Sequence, residues 1–287
     1  MSLDIFVPSH VTGFFQIMDH SNLYDKGSRG AGFLIDKGVS TRIKETRGDE
    51  VKFIINGEEN HYYEKINYKT LELIREDYSI ETGFKVSQEL GVPVGCGFGT
   101  SAGSAMGVAI GISKLLDTNL SVKQACDYAH KAEVLLGTGL GDVIASTSKG
   151  FVIRTREGSP THGEVKNFAC DSDLYVISKS LGNIETSSVI NSHEYQERIT
   201  SIGKLMLNEL LKKPDIRNFL ELSYTFANKT NLLNNKVDEL IKILNQETLG
   251  SSMAMLGNTV FALSDTPDTS IENTQVSKID NKGITIK

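Results

Sequence analysis

The run Pro93-Val94-Gly95-Cys96-Gly97-Phe98-Gly99-Thr100-Ser101-Ala102-Gly103-Ser104 constrains this chain more than any other stretch, because a glycine alternation leads directly into a segment of small residues. Ala102, Gly103, Ala105, Gly107, Ala109 and Gly111 recur between Ser101 and Leu116. Each interior glycine costs a helix about 1 kcal/mol relative to alanine. Such a segment becomes helical only where its backbone presses against a sheet or another helix, so the pattern predicts a buried helix. The glycines before it permit positive φ and a close backbone approach, and the free N–H groups at the following helix start favour an anion. Hydroxyls at Thr100, Ser101 and Ser104 could complete a phosphate or metal shell. On the residues alone, a phosphate-binding turn and a tightly packed turn without ligand both remain open. No lysine follows as in a P-loop, and no parallel βαβ unit precedes as in a dinucleotide fingerprint.

Composition narrows the partner. The chain has 287 residues, of which 39% are hydrophobic and 23% charged, enough for an ordinary folded core. Its net charge of −6, with no block of basic residues, argues against a nucleic-acid groove and for a small-molecule partner. The 26 glycines stand against only 5 prolines and gather in a few short stretches, unlike a flexible linker. Cys96, Cys126 and Cys170 fit no zinc spacing and suggest a reduced, cytoplasmic protein. No stretch approaches the about 18 apolar residues needed to span a bilayer, and the N-terminus lacks a basic stretch and apolar core, so neither export nor a membrane partner is expected.

Period-two and β-branched patterns predict strands at Leu3–Pro8, Val39–Ile43, Val51–Ile55, Phe84–Leu90, Gly150–Thr155, Leu174–Ser178, Thr259–Leu263, Val276–Ile279 and Ile284–Ile286. Helical spacing covers Asn67–Tyr78, a capping box at Ser121-Val122-Lys123-Gln124 running to Gly137, and Ser188–Lys212, Pro214–Lys229 and Val237–Leu244. Glu157-Gly158-Ser159-Pro160 supplies a turn-rich break, giving an N-terminal unit of residues 1–160 and a C-terminal unit of 161–287.

Two further segments bear on chemistry. His130 and Glu133 lie three apart on one predicted helix, and the turn Gly137-Thr138-Gly139-Leu140-Gly141 can bring Asp142 back towards them. A phosphoryl-transfer site uses such carboxylates, one to hold Mg2+ and one to orient or deprotonate the attacking hydroxyl. Gly250-Ser251-Ser252-Met253-Ala254-Met255-Leu256-Gly257-Asn258 reads as a turn leading into a strand.

In this order, Gly97-Phe98-Gly99-Thr100-Ser101-Ala102 and Met255-Leu256-Gly257-Asn258-Thr259-Val260-Phe261-Ala262 resemble the central and C-terminal motifs of the GHMP kinase superfamily. Within it, Val7-Pro8-Ser9-His10-Val11-Thr12-Gly13-Phe14-Phe15, Gly27-Ser28-Arg29-Gly30-Ala31-Gly32-Phe33 and Gly137 to Asp142 are similar to the archaeal pantoate kinase family. The resemblance implies a two-domain α+β architecture with the nucleotide site between the halves. It implies ATP and Mg2+ as cofactors and pantoate as the small-molecule substrate, phosphorylated on its 4-hydroxyl for coenzyme A synthesis. Gly95, Gly97, Gly99, Thr100, Ser101, Ala102, Gly103 and Ser104 would bind the nucleotide, Ser101 and Glu133 the metal, and Asp142 would be the base or hydroxyl-orienting group. Arg154, Arg29, His130 and Thr186 are the expected substrate contacts, with Arg154 first for the pantoate carboxylate. A homodimer is compatible with the resemblance. Mevalonate-kinase-like members place the catalytic aspartate eleven residues after the metal glutamate; here the interval is nine. A kinase for another small hydroxy acid or alcohol, of homoserine, shikimate or mevalonate type, and a non-catalytic nucleotide sensor are the alternative readings.

Overall fold

The computed structural model describes residues 2–59, 61–169, 173–182 and 193–287. Its frame is an antiparallel pair of long strands, β1 (Ser2–Met18) and β2 (Gly27–Thr46), in register from Ser2 opposite Lys44 to Met18 opposite Gly27. The sequence predicts a strand ending at Pro8, yet β1 continues past it. The register shifts between Pro8 and Ser9, and a bulge accommodates a residue without an N–H.

On the outer half of β2, β4 (Gly83–Leu90) pairs with residues 39–46, and β3 (Val51–Ile55) lies parallel to β4. On its inner half, β5 (Phe151–Arg156) pairs with Gly30–Phe33 and carries β6 (Glu164–Phe168) on its far side. The chain's last strand, β11 (Thr285–Ile286), returns to the free edge of β1. The Glu157–Pro160 break therefore falls within the β5–β6 hairpin.

Helix α2 (Thr100–Leu115) packs on this sheet, α1 (His61–Tyr78) lies against α2 and β3, and α3 (Val122–Leu136) packs on α1 and α2. Helix α2 is almost wholly buried, as its small residues predict. Gly103, Gly107 and Gly111, one turn apart, face Val39, Thr41 and Ile43 of β2; a Cβ at 103 would lie 2.9 Å from Val39 Cγ2, and at 107 and 111 it would overlap the strand's side chains. Helix α3 starts on the expected capping box, with Ser121 and Gln124 exchanging bonds, and stops at Gly137. A short helix, α4 (Asp142–Ser146), follows.

A second, antiparallel sheet has the order β10–β7–β9–β8, formed by β7 (Tyr175–Ser180), β8 (Gly250–Ala254), β9 (Thr259–Ser264) and β10 (Gln275–Lys278). The segment read from sequence as a turn is thus strand β8; helices α6 (Ile216–Lys229) and α7 (Asn235–Glu247) pack on it and bury Ser251 to Ala254. Helix α5 (His193–Lys212) lies on β1, so close that a Cβ at Gly203 would overlap the Phe15 carbonyl. Phe33 of β2 meets Phe261 of β9 with ring centroids 5.2 Å apart, and Phe151, Phe219 and Phe226 extend one aromatic core between the sheets.

Candidate active site

The glycine run forms the turn between β4 and α2. Gly97 and Gly99 hold φ of 84° and 61°, the left-handed region that only glycine enters readily. Gly99 caps α2, and no side chain bonds to the helix start, leaving first-turn N–H groups for an anion. The β8–β9 turn closes over this loop: Met255 N–H donates to the Thr12 carbonyl at 3.0 Å, and Gly257 sits directly on the Cys96 carbonyl. A cavity of about 470 Å³ opens beside the loop, lined by residues from Gly95 to Ser104, the Leu136–Asp142 turn, Arg154 and Met255.

On one wall, α3 delivers Glu133 and α2 delivers Ser101. The Ser101 hydroxyl donates to Glu133 Oε1, which also accepts from Thr138 Oγ1 at 2.9 Å. Glu133 Oε2 is buried with no hydrogen-bond partner among the described residues. Burial and the nearby Asp142 charge push the Glu133 carboxyl up to about 7, against the hydrogen bonds from Ser101 and Thr138. Gly139 leaves the room for this carboxylate, since a Cβ there would overlap Oε2.

On the other wall stands Asp142, first residue of α4, with its side chain 26% exposed. A Cβ at Gly99 would lie 3.1 Å from its Cβ and Cγ, so loop and carboxylate are in immediate contact. Asp142 Oδ1 is 2.7 Å from Nδ1 of His10, a β1 residue with no exposed surface, and His10 Nε2 is 3.3 Å from Arg154 Nη1. Burial works to raise the Asp142 carboxyl, but the hydrogen bond from His10 and the charge of Arg154 outweigh it and hold it below the usual carboxylate range. Burial lowers His10, and lowers Arg154 to about 10. Arg154 Nε is buried without a hydrogen-bond partner among the described residues.

The expected residues therefore divide. The loop from Gly95 to Ser104, Glu133, Asp142 and Arg154 come together around the cavity or against its lining. His130 is buried elsewhere, its Nε2 donating to or shared between the carbonyls of Lys26 at 2.9 Å and Leu23 at 3.1 Å. Arg29 pairs with Glu157 at 2.5 Å. Neither is in the cavity lining. Thr186 lies outside the described residues. Beyond the expected residues, Thr12, Ser28 and Lys65 also line the cavity, and His10 stands behind it. The sequence marks His10 only through its place in the Val7–Phe15 motif, and a lone histidine in a strand equally fits a satisfied core residue.

No helix among the described residues is long and apolar enough to cross a membrane. The family model for the GHMP kinases N terminal domain matches residues 65–150. The chain is 38% identical over 264 residues to a pantoate kinase of Methanocaldococcus jannaschii, covering 91% of this chain and 92% of the relative. It is 34% identical to a pantoate kinase of Thermococcus kodakarensis, over 92% of this chain and 88% of that one. Among solved structures, a phosphotransferase related to the CoA biosynthesis pathway superposes with a TM-score of 0.88 at 28% identity, covering 100% of this chain and 99% of that one. A homoserine kinase from Cytophaga hutchinsonii, 20% identical, shares the fold with a TM-score of 0.71, covering 100% of this chain and 97% of that one. The α+β fold and this site define a small-molecule kinase that uses ATP. The chain belongs to the pantoate kinase family of the GHMP kinases.

Proposed function

We propose that this chain transfers the γ-phosphoryl group of ATP to the 4-hydroxyl of pantoate, yielding 4-phosphopantoate on a route to coenzyme A. Family membership supports the reaction, and one observation supports the acceptor: a carboxylate, Asp142, and a cation, Arg154, line the same cavity as the glycine loop and engage the same histidine. A substrate that joins an alcohol to a carboxylate matches that pair. Arg154 would use its remaining donors on the acid, and Asp142 would orient the hydroxyl or accept its proton. The loop from Gly95 through Ser104 would bind the phosphates through backbone N–H groups.

Ser101 and Glu133 fit Mg2+. The partnerless, buried Oε2 is a carboxylate oxygen in want of a cation, and Mg2+ is commonly held by one or two protein ligands with substrate phosphates and water completing the shell. The ion would neutralise charge on the β- and γ-phosphates. His130 and Arg29 take scaffolding roles in this reading, His130 on the segment between β1 and β2 and Arg29 on Glu157 of the β5–β6 hairpin, and Thr186 stays a proposed substrate contact.

For domains, residues 1–160 are read as the N-terminal unit and 161–287 as the C-terminal unit, with β6 and β11 hydrogen-bonded into the first sheet. A cytoplasmic location and a homodimer are proposed with them, the latter to be read by sedimentation.

The test is ADP release with pantoate beside homoserine, mevalonate and shikimate, with mass spectrometry of the product. Pantoate-dependent turnover yielding a phosphorylated acid is expected. Absence of turnover with pantoate, or a preference for another acceptor, rejects the reading.

A further inference from the structure

His10 is buried completely yet satisfies no backbone group through its ring. Buried histidines ordinarily settle on backbone partners, as His130 does with the carbonyls of Leu23 and Lys26. His10 instead places both ring nitrogens on side chains that line the cavity, Nδ1 on Asp142 at 2.7 Å with the Thr12 hydroxyl at 3.3 Å beside it, and Nε2 on Arg154 at 3.3 Å. Strand β2 is shaped for it, since a Cβ at Gly32 would overlap His10 Nε2.

Asp142 and Arg154 settle the ring's protonation, since the Thr12 hydroxyl can donate or accept and fits either tautomer. A guanidinium only donates, so His10 Nε2 must accept from Arg154 Nη1, and the ring proton is left on Nδ1, where it donates to Asp142 Oδ1. A second ring proton would set an N–H against the guanidinium in a buried place. Oδ1 of Asp142 is thus occupied, while no hydrogen bond from the described residues engages Oδ2. The titratable groups around Asp142 are the neutral His10 on β1, Arg154 on β5 and Glu133 on α3.

We propose that His10 is a positioning residue for the phosphoryl-transfer reaction: fixed by Arg154 as the Nδ1–H tautomer, it holds Oδ1 of Asp142 and presents Oδ2 to the substrate hydroxyl. Arg154 then serves two ends, holding the tautomer with one nitrogen while its other donors remain for an anionic group of the substrate. The kinetic part rests on the reading of the chain as a pantoate kinase; the tautomer does not.

Two measurements test it. Long-range proton–nitrogen NMR on histidine-labelled protein reads the tautomer without any turnover. His10 is expected as Nδ1–H, shifting towards a tautomer mixture in Arg154→Met; an Nε2–H ring in the wild-type protein overturns the proposal whatever the substrate. Kinetics then compare His10→Asn with His10→Gln. The asparagine amide reaches the place of Nδ1 and can still donate to Asp142, whereas the glutamine amide reaches the place of Nε2. His10→Gln should lose about 100-fold in kcat, the lower end of what a positioned acid–base group contributes, and His10→Asn should stay within about 10-fold of wild type. The KM for ATP should change by less than about 3-fold in both, since a hydroxyl-positioning group does not bind nucleotide. Equal losses in the two variants, or no loss in either, overturn it. If the wild-type protein shows no pantoate turnover but His10 carries the Nδ1–H proton, the substrate assignment fails and the tautomer assignment stands.

Discussion

Gly257 lies against the Cys96 carbonyl so tightly that a side chain of any size at 257 would overlap backbone atoms of Cys96 and Gly97. Backbone on both sides cannot give way as a side-chain tip can. Gly257→Ala should therefore cost about 1–3 kcal/mol of stability, the range for forced overpacking, and lower the melting temperature by roughly 2 to 10 °C. Because the displaced atoms belong to the phosphate loop, ATP affinity should fall with it. Scanning calorimetry and ATP titration together check this; an unchanged melt with unchanged ATP binding contradicts the contact.

Gly139→Ala meets a different obstacle, the end of the Glu133 side chain, which can swing aside. The cost should appear in metal use rather than in folding. We expect turnover at fixed Mg2+ to fall at least about 10-fold, equivalent to about 1.4 kcal/mol, and the Mg2+ needed for half-maximal activity to rise. A Mg2+ titration of turnover reads both.

The Glu133 carboxyl titrates near 7 in the folded, metal-free protein, above an ordinary value of 4.5. A group raised on folding stabilises the protein below its unfolded pKa and loses that contribution as pH rises through the folded one. Metal-free stability should thus decline between pH 5 and 8 by up to about 3 kcal/mol from this residue, because each tenfold gain in proton affinity on folding is worth about 1.4 kcal/mol. Urea unfolding of the wild-type protein and of Glu133→Gln should differ in slope over that window, with the glutamine variant flatter. Mg2+ should bind more weakly at pH 6 than at pH 8, because the carboxyl must lose its proton to become a ligand.

Asp142→Asn keeps the shape of the side chain and removes its charge. Turnover should drop by about 1,000-fold, within the range for a general base, while ATP dissociation changes by less than about 2-fold. Equal loss of ATP affinity would assign Asp142 to nucleotide binding instead.

Much of this site is legible in the chain itself. The small residues of α2 announce a helix pressed on a sheet, and the Ser121–Gln124 capping box marks the start of α3, because both signals are local. Ser101, Glu133 and Asp142 are legible through motif order. His10 is not, because its role depends on β1 lying beside β2 and β5, a pairing set by contacts far apart in sequence. His130 shows the converse: helical spacing rightly puts it on the helix that bears Glu133, but spacing cannot say that residues 23 and 26 cover it. Arg29 sits in a glycine setting that invites a ligand, and Glu157, remote in sequence, occupies it. Strand β8 escapes a sequence reading because Ser251, Ser252, Met253 and Ala254, all buried, carry no alternation.

Strand β1 contributes Leu3, Ile5 and Val7 to one apolar cluster and Val11, Phe14, Phe15 and Ile17 to the other, and His10 stands where it leaves the first and enters the second. Mechanically, the two halves are carried on a single spar clamped at both ends, with the Asp142 anchor at mid-span. The register shifts at Pro8/Ser9 and Thr12/Phe14 flank that anchor, so the bends of the spar fall on either side of it. The turn that covers the phosphate loop is tied to the same spar, through the Met255 N–H on the Thr12 carbonyl, so one strand carries both the cover of the nucleotide loop and the partner of Asp142.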